Sequence, residues 1–192
     1  MTEPITRERD VVDLLSDDHR KVEGIFAELE QLRGVSDVPS LRRRKDLTEL
    51  VTEELIKHSV AEEAEVYPRI RERIDQGEAD RLTQEQAEAE KTMKVLERLT
   101  PDNPQFDDEL ATLMQEIREH VAEEEREAFP QLRQAFSDDE LVQMAHKVDA
   151  VKKKAPTRPH PSAPDRPPYD KIVGPPTGLI DRMRDALMGR NR

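Results

Sequence analysis

"IKHSVAEEAEVYPRIRE", residues 56–72, returns almost unchanged as "IREHVAEEEREAFPQLRQ", residues 117–134. Both copies read His-x-x-x-Glu-Glu and place a Pro ten residues after the His. Residues four apart stand about 40° apart on one helix face. His58 and Glu62 therefore point the same way, as do His120 and Glu124. With His58 at zero and about 100° per residue, Leu47, Val51 and Leu55 fall between about −20° and 60°, and Glu62, near 40°, lies inside that apolar arc. Measured from His120, Leu113, Ile117 and Leu110 span about 20° to 80° and again enclose Glu124. A carboxylate on a core face is costly unless something neutralises it. A dication shared by both would do so, and an imidazole plus a carboxylate from each of two facing helices is how bundles hold two metals. The plain alternative, exposed i,i+4 polar pairs, accounts for neither the repetition nor the core register.

Composition narrows the rest. The chain has 192 residues, 39% of them charged and 3% aromatic, which fits helices with wide polar faces around one core. Cysteine is absent, which removes disulfides, thiolate metal sites and cysteine nucleophiles. No apolar run reaches the ~18–20 residues that cross a bilayer, and "MTEPITRERDVVDLL" lacks a signal-peptide pattern. The expected location is cytoplasmic. The formal net charge is −12, and the stretch from Val151 onward carries ten Lys/Arg against four Asp/Glu, leaving −18 on the rest. So acidic a body does not suit nucleic acid, whereas its carboxylates suit hard cations.

Apolar spacing predicts four long helices, at about Thr6–Gly34, Ser40–Asp75 (with Gly77 as its stop), Glu78–Leu99, and from Pro104 to about Phe136. "SDDE" at 137–140 offers a capping box for a short fifth helix. Short connections make the long helices antiparallel neighbours, so the expected architecture is all-α, an up-down-up-down four-helix bundle over 6–136 followed by an accessory helix over 137–153. Residues 154–176 hold eight of the fourteen prolines and read as an extended linker. Residues 177–189 read as a short amphipathic helix that docks on the bundle, on a protein partner or on a membrane surface. "RRRK" at 42–45 reads as a solvated turn.

The first and third helices share a register. Val22, Phe26, Leu29 and Leu32 follow His19 at the same intervals at which Ala89, Met93, Leu96 and Leu99 follow Gln86. The chain is thus an approximate duplication of a helix pair. With "DDHRKV" at 17–22, "HSVAEEAEVYP" at 58–68 and "HVAEEEREAFP" at 120–130, it resembles the hemerythrin family in its bacterial HHE cation-binding branch, over about residues 10–136. The resemblance implies a hemerythrin-like bundle around a non-haem di-iron centre, with two carboxylates bridging the metals and histidines as terminal ligands. Carried across, the ligands are His19, His58, Glu62, His120 and Glu124.

One position departs from the family. Where its third helix carries His after an acidic residue, this chain has Glu85-Gln86. An amide oxygen is a poorer ligand for iron than imidazole, so Gln86 itself, Glu90 one turn on, Glu85 or water is left to complete the set. Gln86 alternatively serves as the N3 partner of Thr83 in a capping box. Tyr67 and Phe129, each before a Pro, read as core packing, with a phenolate ligand as the alternative for Tyr67. Glu63 and Glu125 read as surface positions or partners of ligands, Glu23 as solvated, and His146 and His160 as non-ligands. The family implies two non-haem Fe ions, with Mn also suited to N/O ligands, and O2 or peroxide as the small ligand, in oxygen or redox sensing or in catalase-like peroxide disproportionation. The competing readings are an iron-centre repair or nitric-oxide response protein and a metal-free helical adaptor.

Overall fold

The computed structural model describes residues 8–155. The N-terminal residues 1–7, the linker beyond 155, His160 and the expected helix at 177–189 lie outside the described residues. Helix α1 spans Val11–Gln31, opened by a capping box between Asp10 and Asp13 and followed by Gly34, whose φ of 74° ends the segment in a left-handed turn. Asp37 caps α2, Val38–Glu65. After α3, Tyr67–Arg73, Asp75 caps α4, Gln76–Arg98. Gly77 therefore sits in the first turn of α4 and does not stop the preceding helix. Helix α5, Phe106–Glu123, begins two residues after Pro104 and passes through a π-helical turn, Glu124–Ala128, into α6, Phe129–Ala135. Helix α7, Asp138–Lys152, closes the described chain.

The four long helices α1, α2, α4 and α5 form the expected up-down-up-down bundle, and α7 packs across α1 and α2. The second and fourth helices, expected as continuous, are each interrupted between the repeated Glu and the repeated Pro. Proline lacks the N–H that would bond the carbonyl four residues back, and its ring clashes with that carbonyl. Around Pro68 the chain responds by kinking at Val66 (φ −105°, ψ −58°). Before Pro130 it widens instead, and the Phe129 N–H donates to the Glu124 carbonyl five residues back.

Arg44, within "RRRK", is buried inside α2. Its guanidinium reaches the Pro101 carbonyl at 3.0 Å, pairs with Asp107 and lies over Phe106. It is a clamp between α2 and the start of α5, not a solvated turn.

The apolar interior divides into two clusters. One gathers Phe26, Leu29, Val51, Leu96 and Leu113, and the other Leu15, Ile70, Leu82, Leu132 and Val148. Between them the bundle carries a buried polar layer of His19, His58, Glu62, Gln86, His120 and Glu124.

Helix α7 is fixed at its start by reciprocal bonds between Ser137 and Glu140, with the Arg73 guanidinium of α3 2.6 Å from the Glu140 carboxylate. The Ser137 backbone N–H, then Arg73 and the Ser137 hydroxyl, hold the Glu140 carboxyl down at about 2. A depressed carboxyl contributes stability that is complete above its ordinary value of 4.5 and is lost as pH falls toward 2. Glu140→Gln should lower the urea midpoint near pH 7, with the gap to wild type narrowing as pH is taken from 5 toward 3. A gap that stays constant with pH would contradict this assignment.

Candidate metal centre

The duplicated motif brings its side chains to one point. Helix α1 supplies His19, α2 His58 and Glu62, α4 Gln86, α5 His120 and the π-helical turn Glu124, all buried, with Glu62 at 0% and Glu124 at 1% exposure. His58 Nε2 lies 3.0 Å from Glu62 Oε2 and 3.3 Å from His19 Nε2. Glu124 Oε2 is 3.4 Å from His19 Nε2, and Glu124 Oε1 is 3.5 Å from His120 Nε2. One ligand atom from each of His19, His58, Glu62 and Glu124 fits within 4.8 Å of the others. His120 approaches from the Glu124 side. Glu90 is buried on α4 with Lys94 Nζ 3.2 Å away and does not line the cavity at the centre. His146 is on α7, 3.3 Å from Glu8 and away from the cluster.

Each imidazole turns Nε2 inward and sets Nδ1 on a carboxylate. His19 Nδ1 lies 2.9 Å from Glu125 Oε1, His58 Nδ1 3.1 Å from Asp18 Oδ2, and His120 Nδ1 2.8 Å from Glu85 Oε2. A carboxylate on Nδ1–H fixes the tautomer and leaves the Nε2 lone pair free for a cation. Asp18 precedes His19, Glu125 follows Glu124 and Glu85 precedes Gln86 in the sequence. Adjacent helical residues diverge by about 100°, so each of these acids turns away from its neighbour's target and serves a histidine on another helix. Helical register assigned Glu125 only loosely and left Asp18 without a role. The signal was the acid directly beside each inward residue. Glu85 is committed to His120 and does not swing in.

Tyr67 is only 1% exposed, and its hydroxyl is part of the centre, which corrects its assignment to plain packing. The phenol oxygen lies 2.8 Å from Glu124 Oε1 and 3.2 Å from Glu62 Oε2, and its one proton serves the nearer. Gln86 Nε2 donates to Tyr67 at 2.7 Å and to Glu62 Oε2 at 2.6 Å. Gln86 is no capping partner for Thr83, which sits inside α4 and bonds the Ala79 carbonyl. Phe129 stacks on the His19 ring at 5.5 Å.

Burial alone would lower His58, but Glu62 and Asp18 outweigh it and raise the imidazole to about 10. Burial likewise works against the charged His120, and Glu124 and Glu85 raise it. For Glu124, burial pushes up and His120, His19 and His58 prevail, holding it near 2. Burial, then Glu124 and Glu62, keep Tyr67 a neutral phenol. Glu124 is thus ionised, and the raised histidines supply the opposing charge in the metal-free protein. Glu62 Oε1, Glu124 Oε2 and Gln86 Oε1 are buried with no hydrogen-bond partner. Three such oxygens beside three inward imidazole nitrogens make a donor set that fits a divalent N/O-binding metal.

Comparison with known proteins agrees with this geometry. The family described as Hemerythrin HHE cation binding domain matches residues 10–132. An uncharacterized hemerythrin-like protein of Schizosaccharomyces pombe is 27% identical over 180 residues, covering 92% of this chain and 86% of that protein. A DNA nickase of Nostoc is 28% identical over 148 residues, and the match spans 77% of this chain but only 40% of the nickase. The crystal structure of a hemerythrin HHE cation binding domain-containing protein from Mycobacterium kansasii shares the fold. Its TM-score is 0.63 at 20% identity, over 76% of this chain and 86% of that one.

Removing the phenol oxygen should take the acceptor from one Gln86 N–H and the donor from one Glu124 oxygen. Tyr67→Phe is expected to cost the metal-free protein about 1–3 kcal/mol in urea unfolding. A change within about 0.5 kcal/mol, the range of an inert surface substitution, would contradict the hydrogen-bonding role.

Proposed function

Because the chain belongs to the hemerythrin HHE cation-binding family, we propose that its buried centre holds two non-haem Fe ions and binds O2 or peroxide, serving oxygen or redox sensing or peroxide detoxification. The observation that carries this reading is the convergence of His19, His58, Glu62 and Glu124, all buried, with one ligand atom from each within 4.8 Å of the others. A metal-free helical adaptor gives no reason to gather three histidines and two glutamates at one point of the core. Glu62, Glu124, His19, His58 and His120 would hold the ions. Mn suits the same donors.

The cavity beside these residues measures about 20 Å³ and is walled by Val22, Leu55, Ala89, Met93, Ile117 and Val121. A space of this size holds about one water-sized molecule. So narrow a space suits a small ligand such as O2 or peroxide rather than an organic substrate. Asp18, Ser59 and Glu85 form its polar side. A pair of redox-active ions held by these residues would supply the two electrons exchanged with an O–O bond. The protein's own contribution is to hold the carboxylates still through Tyr67 and Gln86, to fix each imidazole through its carboxylate, and to keep bulk water out.

The two metal positions are unequal. His19, His58, Glu62 and Glu124 form a complete four-residue set. The position near His120 has Gln86 where the family carries another histidine, and the amide directs its N–H groups at Glu62 and Tyr67. A weaker second ion favours redox turnover over clean reversible O2 carriage. The nickase relative is longer than this chain, and the acidic body argues against carrying its DNA activity across.

Titrating the metal-free protein with Fe(II) tests the proposal. The expected result is one tight equivalent and a second weaker by roughly tenfold or more, with Gln86→His bringing the two together. Two equally tight equivalents in wild type would refute the inequality, and no uptake would refute the metal centre. Rapid loss of peroxide added to the loaded protein would mark an enzyme, and slow loss with a persistent colour change a sensor.

A further inference from the structure

Helix α7 begins at Asp138, beyond the family match at residues 10–132, yet it reaches the metal centre through one side chain. Leu141, Met144, Ala145 and Val148 bury its inner face in the second apolar cluster, between α1 and α2. One turn past Val148, Lys152 Nζ pairs with both oxygens of Asp18, each side chain only 17% exposed. Asp18 Oδ2 lies 3.1 Å from His58 Nδ1, and His58 Nε2 lies 3.0 Å from Glu62 Oε2. A continuous line of charged and polar groups thus runs from the last turn of α7 to Glu62.

The other two histidines have no such support. Glu125 is 46% exposed and Glu85 32%, and among the described residues neither is ion-paired to a Lys or Arg. Water can screen those two acids. Asp18, at 17% exposed, is less open to water than either, and it is held between His58 and Lys152. We propose that Lys152 is a positioning residue for the metal centre, acting through Asp18 on His58, so that α7 is a working part of the site. This rests on the reading of His58 as a metal ligand.

Lys152 acting only as a tack between α7 and α1 would alter stability and leave the metal unaffected. Metal affinity and ligand-field colour therefore discriminate between the two. The full chain is prepared metal-free as wild type, Lys152→Met, Lys152→Arg, Asp18→Asn and the Asp18→Asn/Lys152→Met pair. Each is titrated with Co(II) by visible absorption, and the thermal midpoint of each metal-free protein is measured alongside. Lys152→Met is expected to weaken the tighter Co(II) equivalent by about tenfold and to shift its visible band. Lys152→Arg should restore both, and on the Asp18→Asn background Lys152→Met should add nothing further.

A lowered thermal midpoint with wild-type Co(II) affinity and spectrum would overturn the proposal. So would an effect of Lys152→Met that persists in full without the Asp18 carboxylate. If Lys152→Met does not fold, Lys152→Gln, which keeps a donor for Asp18, carries the same expectation. Failure of wild type itself to take up Co(II) would instead strike at the metal reading and take this inference with it.

Discussion

Two buried carboxyl groups, Glu62 and Glu124, stand in the middle of a helical bundle between two apolar clusters. Moving a carboxylate out of water is among the most expensive operations in folding, and an effective penalty of several kcal/mol per ion remains after relaxation. The chain offsets part of this with its own groups. Imidazole nitrogens, the Tyr67 hydroxyl and the Gln86 amide all converge on the two acids. The offset is incomplete, because one oxygen on each glutamate has no hydrogen-bond partner. A cation between them would complete it, and the proposed chemistry follows from which cation that would be.

The same constraint organises the fold around the site. Each histidine is held by a carboxylate from another element: Asp18 of α1 for His58 of α2, Glu125 of the π-helical turn for His19 of α1, and Glu85 of α4 for His120 of α5. The site cannot loosen at one ligand without disturbing the contact between two helices. The π-helical turn belongs to this arrangement. It contains both Glu124, facing the centre, and Glu125, facing His19, one residue apart. An i→i+5 turn changes the angular offset of its residues relative to an α-helix, and such turns recur at functional sites.

Much of this was legible in the sequence. Helix positions followed from apolar spacing, and the inward direction of Glu62 and Glu124 followed from sharing an arc with Leu55 and Ile117. Three features were not legible, each for a physical reason. Regular 100° geometry treats a helix as unbroken, so the kink at Val66 and the wide turn at Glu124–Ala128 were missed although Pro68 and Pro130 were plain to see. A proline announces strain but not whether the chain bends or widens to relieve it. Tyr67 was assigned to packing because its register is apolar, and register says nothing of where a phenol oxygen ends. Asp18 and Glu85 stand beside inward residues, but their targets lie on other helices, and the spacing of one chain segment does not say which histidine of another segment an acid meets.

Thermal unfolding with and without metal, in wild type and in a Glu62→Ala/Glu124→Ala variant, tests most directly whether a cation answers the buried charge. With metal at a hundred times its dissociation constant, wild type should gain about 2.7 kcal/mol, seen as a higher midpoint that a chelator reverses. The double variant should show no metal response. Identical midpoints for wild type with and without metal, or an equal metal response in the double variant, would contradict the claim that Glu62 and Glu124 are buried for the sake of a cation.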